Sequence, residues 1–487
     1  MAADILLLDP PHKIFAALRM WMPSPGLLAL AAYLEAHGLS VDLVDATTLA
    51  RPWTDLRDRL SRSSYAIVGV TCPAATFHND AVHAIRLVRT MLPDAAIIAG
   101  GGHFTINAGA ILQELTELDY IVLGEGEAAF LELAQWLKSH GRFEPCSVPG
   151  IMYRRDGRVE TTAARPLIAD LDSLPMPVYH KIDMRNPVYY LHGMGLRAVG
   201  LSTSRGCADR CTYCSEAVLW NSTWRGRSGQ LVVEEMEKLR RDYGKSLFVF
   251  NENSFNQSRT RNEAFLESLG RSGLKCDFWF QSRVKDILRD RDMLDDFRRL
   301  GCYEVMLGVE TIAADALRNY AKSQTMEQVR EAAELLRSRG IMVMTNVMFG
   351  DMQDTEETLK AICDFATEIG DFLVLTITTP LPGTLYYEQA QAQGRIQEHD
   401  FANYDFMHPI MGNAAYTREQ ILALQKKYLR RYYTRPAIFL NMLFSPNPFK
   451  RMAYRLIMRY AWYEARNRQW VQDNYEEPPP ELRATIN

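Results

Sequence analysis

The stretch SRGCADRCTYCSEAVLW, residues 204–220, puts three cysteines within eight residues, at spacings of four and then three. A disulfide framework wants an even number of cysteines. A tetrahedral zinc site wants a fourth ligand. Thiolates also suit iron–sulfur clusters, and a cubic four-iron cluster has four corners to fill. Cys207, Cys211 and Cys214 can serve three corners, which leaves one iron open for a small molecule. On spacing alone, a structural zinc site that borrows a distant Cys or His stays open as the alternative.

The loop follows a strand, AVGLSTS, and strands and helices alternate after it. The apolar runs SLFVFNEN, DFWFQSR, YEVMLGVET, MVMTNVMFG and FLVLTITTP are separated by amphipathic stretches such as LVVEEMEKLRRDYG and MEQVREAAELLRSRG. Six strands with five intervening helices predict a partial parallel barrel over residues 196–395, with its site at the strand carboxyl ends. Residues 1–140 alternate in the same way, through DILLLDPP, SVDLVDA, YAIVGVT, AAIIAGG and DYIVLGEGE. That pattern predicts a doubly wound parallel sheet covered on both faces. Its ligand end carries DPP, TCPA, GGGHFT and GEGE. Residues 141–195 are proline-rich and read as a connector, with a hairpin around Asp156-Gly157 in GIMYRRDGRVETT. Residues 396–487 read as a helical, aromatic carboxyl-terminal domain.

Composition supports a globular α/β protein: 47% hydrophobic, 23% charged, formal net charge −4. So balanced a charge gives no whole-protein argument for nucleic acid, and no nucleic-acid partner is expected. MAADILLLDPPHK lacks a basic start and meets Asp4 and Asp9 at once, unlike a signal peptide. No apolar run reaches the length of a spanning helix. These features predict a cytoplasmic protein, whose thiols stay reduced. Cys72, Cys146, Cys276, Cys302 and Cys363 are scattered and read as inert, partly buried thiols.

CADRCTYC resembles the Cys-x3-Cys-x-aromatic-Cys motif of radical S-adenosylmethionine (SAM) enzymes, with Tyr213 in the aromatic slot. The resemblance implies a [4Fe-4S] cluster on Cys207, Cys211 and Cys214. SAM would chelate its open iron and be cleaved to a 5′-deoxyadenosyl radical. Further matches run through most of residues 197–395. LGVET resembles the family's Gly-x-Glu strand end, which implies that Glu310 binds the ribose of SAM. NENSF places Asn251 and Glu252 where relatives carry groups near the SAM amine, and FQSRV offers Gln281 and Arg283 as polar contacts.

The first 140 residues resemble the cobalamin-binding domain of the cobalamin-dependent radical SAM group, through SPGLLALAAYLEAHG, GGGHFT and DYIVLGEGE. The resemblance implies that Gly100, Gly101 and Gly102 let backbone approach a large flat ligand. Thr105, Glu125 and Gly126 would lie against its amide and nucleotide-tail groups, and Thr71 and Cys72 under its lower face. The Asp-x-His-x-x-Gly string that supplies histidine to cobalt elsewhere is missing. His103 is placed at this site as a structural hydrogen-bonding group.

The carboxyl-terminal stretch 426–470 is basic and aromatic together, with an apolar stripe of Tyr454, Ile457, Met458 and Ala461. It is expected to cap the barrel mouth and shape the pocket. The sharper alternative is peripheral contact with an anionic membrane.

The reading is a cobalamin-dependent radical SAM enzyme that methylates an unactivated carbon of a small molecule. Methylcobalamin and a 5′-deoxyadenosyl radical would act together, with flavodoxin or ferredoxin as electron donor. The alternative is a radical cyclase or ring-rearranging enzyme of the anaerobic magnesium-protoporphyrin cyclase or hopanoid-modifying type. From another class comes a non-catalytic cobalamin or iron–sulfur sensor.

Overall fold

The computed structural model describes residues 4–12, 22–141, 146–189, 197–455, 458 and 476–483. The chain divides into two compact units, Met1–Leu191 with Gln469–Asn487, and His192–Arg468.

The first unit is built on a seven-stranded sheet: β1 (Ile5–Asp9), β2 (Val41–Asp45), β3 (Ile67–Thr71), β4 (Ala96–Gly100), β5 (Tyr120–Val122), β6 (Ile151–Arg155) and β7 (Arg158–Thr161). The order is β2-β1-β3-β4-β5-β6-β7, parallel through β5 and antiparallel beyond it. Successive side chains of a strand point to opposite faces, so a strand covered on both sides feeds two cores. Leu6, Leu8, Val68 and Val70 pack with Trp53 and Ile85 on one face. Ile5, Leu7, Ile67 and Ile98 pack with Leu34 and Phe130 on the other. The expected hairpin forms β6 and β7, turning through Asp156 and Gly157 at φ 49° and 75°. It extends this sheet, so the hairpin lies in the first unit.

The last described residues return to the same unit. The helix Pro52–Ser61 has no side-chain cap of its own from Arg51. The Glu476 carboxylate supplies one, accepting from Trp53 N at 2.8 Å and Thr54 N at 2.9 Å.

The second unit holds the six expected parallel strands: β8 (Ala198–Leu201), β11 (Leu247–Phe250), β12 (Asp277–Ser282), β13 (Cys302–Glu310), β14 (Met342–Phe349) and β15 (Phe372–Ile377). Their order is β15-β14-β13-β12-β11-β8, so each crossover adds the next strand alongside the last. A short ribbon, β9 (Ser204–Arg205) with β10 (Arg225–Gly226), brackets the cysteine loop.

An open barrel leaves a bare edge, and exposed edges invite unwanted pairing. Here the carboxyl-terminal region covers β15. Gln425 Nε2 donates to Leu375 O at 2.8 Å and the Tyr433 hydroxyl to Leu373 O at 2.7 Å. Ile377 N donates to Phe406 O at 2.7 Å. After SPNP the chain runs helically again through residues 448–455. There Lys450 pairs with Asp371, and the Tyr454 hydroxyl donates to Asp371 O at 3.0 Å. Asp371 precedes β15, so this segment sits at the amino-terminal end of the barrel. These described contacts seal the edge and the floor of the barrel. Ile457 and Ala461 of the expected stripe lie outside the described residues.

Glu304 in β13 is buried, with Oε1 lacking a hydrogen-bond partner. Burial, reinforced by the Asp371 charge, raises its pKa to about 8. A carboxyl whose folded pKa is raised contributes most stability below its unfolded value and loses it as pH climbs to the folded value. Between pH 4.5 and 8 the protein should lose stability through this group, on the order of 3 kcal/mol by pH 7. Glu304→Gln should remove that slope and raise the melting temperature at neutral pH, as thermal denaturation across the pH range would record.

Candidate functional site

The cysteine loop is locked before any ligand is considered. Gly206, with φ 80°, enters it in the left-handed region. A Cβ at Gly206 would run into Thr223 O and lie 2.9 Å from Trp220 Cβ, so only glycine brings the chain through. Thr212, between the second and third cysteines, is pinned from two later elements. Its N–H donates to Tyr320 O at 3.2 Å, its hydroxyl to Asn319 O at 2.8 Å, and its carbonyl accepts from Tyr386 N at 3.0 Å. Ala208 N donates to Gln257 Oε1 at 3.1 Å. Asp209 accepts from Arg283 at 2.8 Å and Lys285 at 2.6 Å.

Cys207, Cys211 and Cys214 are free thiols of intermediate exposure. Burial raises Cys211 to about 11 and Cys214 to about 12. Metal binding must therefore draw protons from both, as thiolate ligation does. The thiols lie close enough for Cys207 to act on Cys211, and Cys211 on Cys214. Yet among the described residues no three His, Cys, Asp or Glu side chains are grouped to hold a single ion. Three neighbouring soft donors on one stiff loop fit a cluster in which each thiolate takes its own iron.

The strand ends converge on this loop. Glu310 closes β13 at φ 63°, a conformation a non-glycine residue holds only under constraint. Its carboxylate pairs with Lys322 Nζ, which also donates to Gly308 O at 2.9 Å. A Cβ on Gly308 would lie 2.6 Å from Glu310 Oε1 and 2.9 Å from Lys322 Nζ, so the glycine leaves room for the pair. The Lys322 charge lowers the Cys211 thiol against its burial, while Glu310 raises it. Lys322 was not among the sequence candidates. It stands twelve residues beyond Glu310 in LRNYAKSQT, with nothing local to mark it.

The other candidates divide. Tyr213 packs edge-on against Tyr320, ring centroids 4.9 Å apart. The Tyr320 and Tyr386 hydroxyls meet on Asp351 Oδ2, at 2.5 and 2.8 Å. Asn251 N donates to Leu201 O at 2.8 Å, and Asn251 and Gln281 keep partly exposed side chains at their strand ends. Glu252 is buried and bonded to Thr203, tying β11 to β8. Arg283 gives its guanidinium to Asp209 and Asp286.

In the first unit the cobalamin candidates cluster at the carboxyl ends of β3, β4 and β5. Thr71 ends β3 and Cys72 is fully buried behind it. Gly101, at φ 98°, is required by packing: its Cβ would stand 2.6 Å from Cys72 O. Gly100 has only Val122 near, at 3.9 Å, which leaves space above it, and Gly102 opens the short helix that follows. Thr105 Oγ1 accepts from Gly124 N at 3.1 Å. Glu125 accepts from Ile168 N at 2.6 Å, and Gly126 begins the helix Gly126–His140.

His103 and His12 at this end are each engaged at both ring nitrogens. His103 meets His78 at 3.0 Å and Asn107 at 3.2 Å, and burial, with His78, lowers it to about 3. His12 lies 2.9 Å from Asp9 and 3.2 Å from Asp80. Burial alone would lower His12, but those carboxylates raise it to about 9. Neither ring has a nitrogen spare for a metal. A flat ligand that asks no protein histidine for its metal fits what the strand ends offer, with open space at Gly100 above a buried polar floor.

The B12 binding domain family matches residues 11–134, and the Radical SAM superfamily matches residues 201–366. The chain is 28% identical over 466 residues to an uncharacterised methyltransferase of Pyrococcus horikoshii, covering 95% of this chain and 99% of that one. It is 30% identical to the anaerobic magnesium-protoporphyrin IX monomethyl ester cyclase of Rubrivivax gelatinosus, covering 88% and 76%. The fold is that of the radical SAM methyltransferase TsrM from Kitasatospora setae, solved with tryptophan and a SAM analogue, at TM-score 0.72, 22% identity and coverage of 95% and 100%. A loop of three pinned thiols in a six-stranded barrel, preceded by a B12-binding sheet, thus places the chain in the cobalamin-dependent radical SAM enzyme family.

Proposed function

We propose that the protein methylates an unactivated carbon of a small-molecule substrate. The observation that carries this is the pairing of the locked thiol loop with the Glu310–Lys322 ion pair beside Cys211. The methyltransferase of Pyrococcus horikoshii supports it too, being similar over 95% of this chain and 99% of its own length.

When bound, cobalamin supplies the methyl group, and the cluster with SAM supplies the radical that removes hydrogen. The chain does the holding. Cys207, Cys211 and Cys214 take three corners of the cluster. Lys322 would meet the methionyl carboxylate of SAM, because its ammonium is a cation close to Cys211 with three donors. Glu310 offers acceptors for ribose hydroxyls, and Tyr213 gives an aromatic wall. Asn251 and Gln281 provide polar contacts to the rest of SAM. Glu252 and Arg283 act indirectly, the first by tying strand ends and the second by pinning Asp209. In the first unit Gly100 and Gly102 provide the approach for the flat ligand, Thr71 and Cys72 its floor. Gly101, Thr105, Glu125 and Gly126 shape the loops around it. His103 stays neutral and bonded to His78 and Asn107, so its ring would not be offered to the metal of the flat ligand. Reduction of the cluster calls for a low-potential one-electron donor such as flavodoxin or ferredoxin, which suits a cytoplasmic setting.

Anaerobic turnover should yield S-adenosylhomocysteine and 5′-deoxyadenosine together, measured by mass spectrometry. 5′-Deoxyadenosine without the homocysteine product would indicate cyclisation instead, and neither product would indicate a sensor. Each of Cys207→Ala, Cys211→Ala and Cys214→Ala should abolish both products and the cluster's electron paramagnetic resonance signal. Lys322→Gln should keep the cluster but weaken SAM binding about ten- to a hundredfold, the scale of one lost charged hydrogen bond. Calorimetric titration would read that loss.

A further inference from the structure

Residues 421–455 contain eight cations and no carboxylate, in a chain whose formal net charge is −4. On the helix Arg418–Tyr433, Lys426, Lys427, Arg430 and Arg431 are exposed. Spaced i, i+1, i+4 and i+5, they share one face. Arg431 reaches Asp364 at 3.2 Å and Lys427 reaches Glu356 at 4.0 Å, while Lys426 and Arg430 form no ion pair among the described residues. Directly after comes the helix Pro436–Phe444, which buries only Ile438. It exposes Phe439, Leu440, Leu443 and Phe444, the last at 74%. Those are four of the eight exposed large hydrophobic side chains among the described residues, and they too share one face. Clustered apolar exposure of this kind marks a contact surface.

We propose that these two helices dock the protein onto the surface of an anionic lipid bilayer. A second copy of the chain would bring the same cations face to face. Nucleic acid would meet the cations but leave the phenylalanines and leucines in water. A bilayer answers both features, with phosphate headgroups for the arginines and lysines and acyl chains for the apolar face. No described helix is long and apolar enough to cross a membrane. The nine residues of Pro436–Phe444 span about 14 Å against roughly 30 Å of hydrocarbon, so the helix lies in the interface. This docking is independent of the reaction proposed above.

The test is co-sedimentation of the full chain with vesicles of phosphatidylcholine alone or with phosphatidylglycerol added. Binding should require phosphatidylglycerol and fall as salt rises. Lys426→Gln with Arg430→Gln should weaken it about fivefold per charge. Leu440→Ser with Phe444→Ser should weaken it by about a hundredfold or more, the scale of two lost apolar side chains. Both pairs should retain the wild-type melting temperature and SAM cleavage. Equal binding to both vesicle types, or binding unchanged in both pairs, overturns the proposal. So does concentration-dependent dimerisation, or oligonucleotide binding, that the same substitutions abolish without any vesicle binding.

Discussion

Three thiols can share one cluster only if the loop carrying them is stiff before the iron arrives, because ordering it afterwards would cost conformational entropy at every residue. Here the stiffness comes from the backbone. Gly206 threads the chain under Trp220, and Thr212 is held through its amide, hydroxyl and carbonyl by elements more than a hundred residues later. Without those ties the cysteines would be a sequence motif without a geometry.

The ties are themselves braced. Tyr320 and Tyr386, whose backbones hold Thr212, meet through their hydroxyls on one carboxylate oxygen of Asp351. Tyr213 packs into the same apolar cluster, with Ala316, Met348 and Met411. The aromatic residue of the cysteine motif is thus part of a packed unit made by Met348 of β14 and the segments that follow β13 and β15. Arg283, directly after β12, works in parallel by gripping Asp209 and Asp286.

What could be read from sequence followed physical range. The cysteine spacing, the alternation of strands and helices, and the Asp156-Gly157 turn are local, and each appears where expected. The Glu310–Lys322 pair joins residues across a helix and a turn, and no periodicity announces it. The carboxyl-terminal region was harder still. Its aromatic stretch was expected to shape the pocket, yet Tyr433, with Gln425 just ahead of that stretch, satisfies carbonyls of β15 fifty to sixty residues earlier. Composition shows that a helix is aromatic, but not which backbone groups its side chains complete.

Glu476 closes the amino-terminal end of a helix 423 residues earlier in the chain. On the ribosome, the first unit emerges long before that carboxylate exists. Its sheet can form early, but the helix behind Trp53 gains this cap only after the barrel strands have been translated. The part that was begun first is therefore completed by a residue made after the second unit's strands.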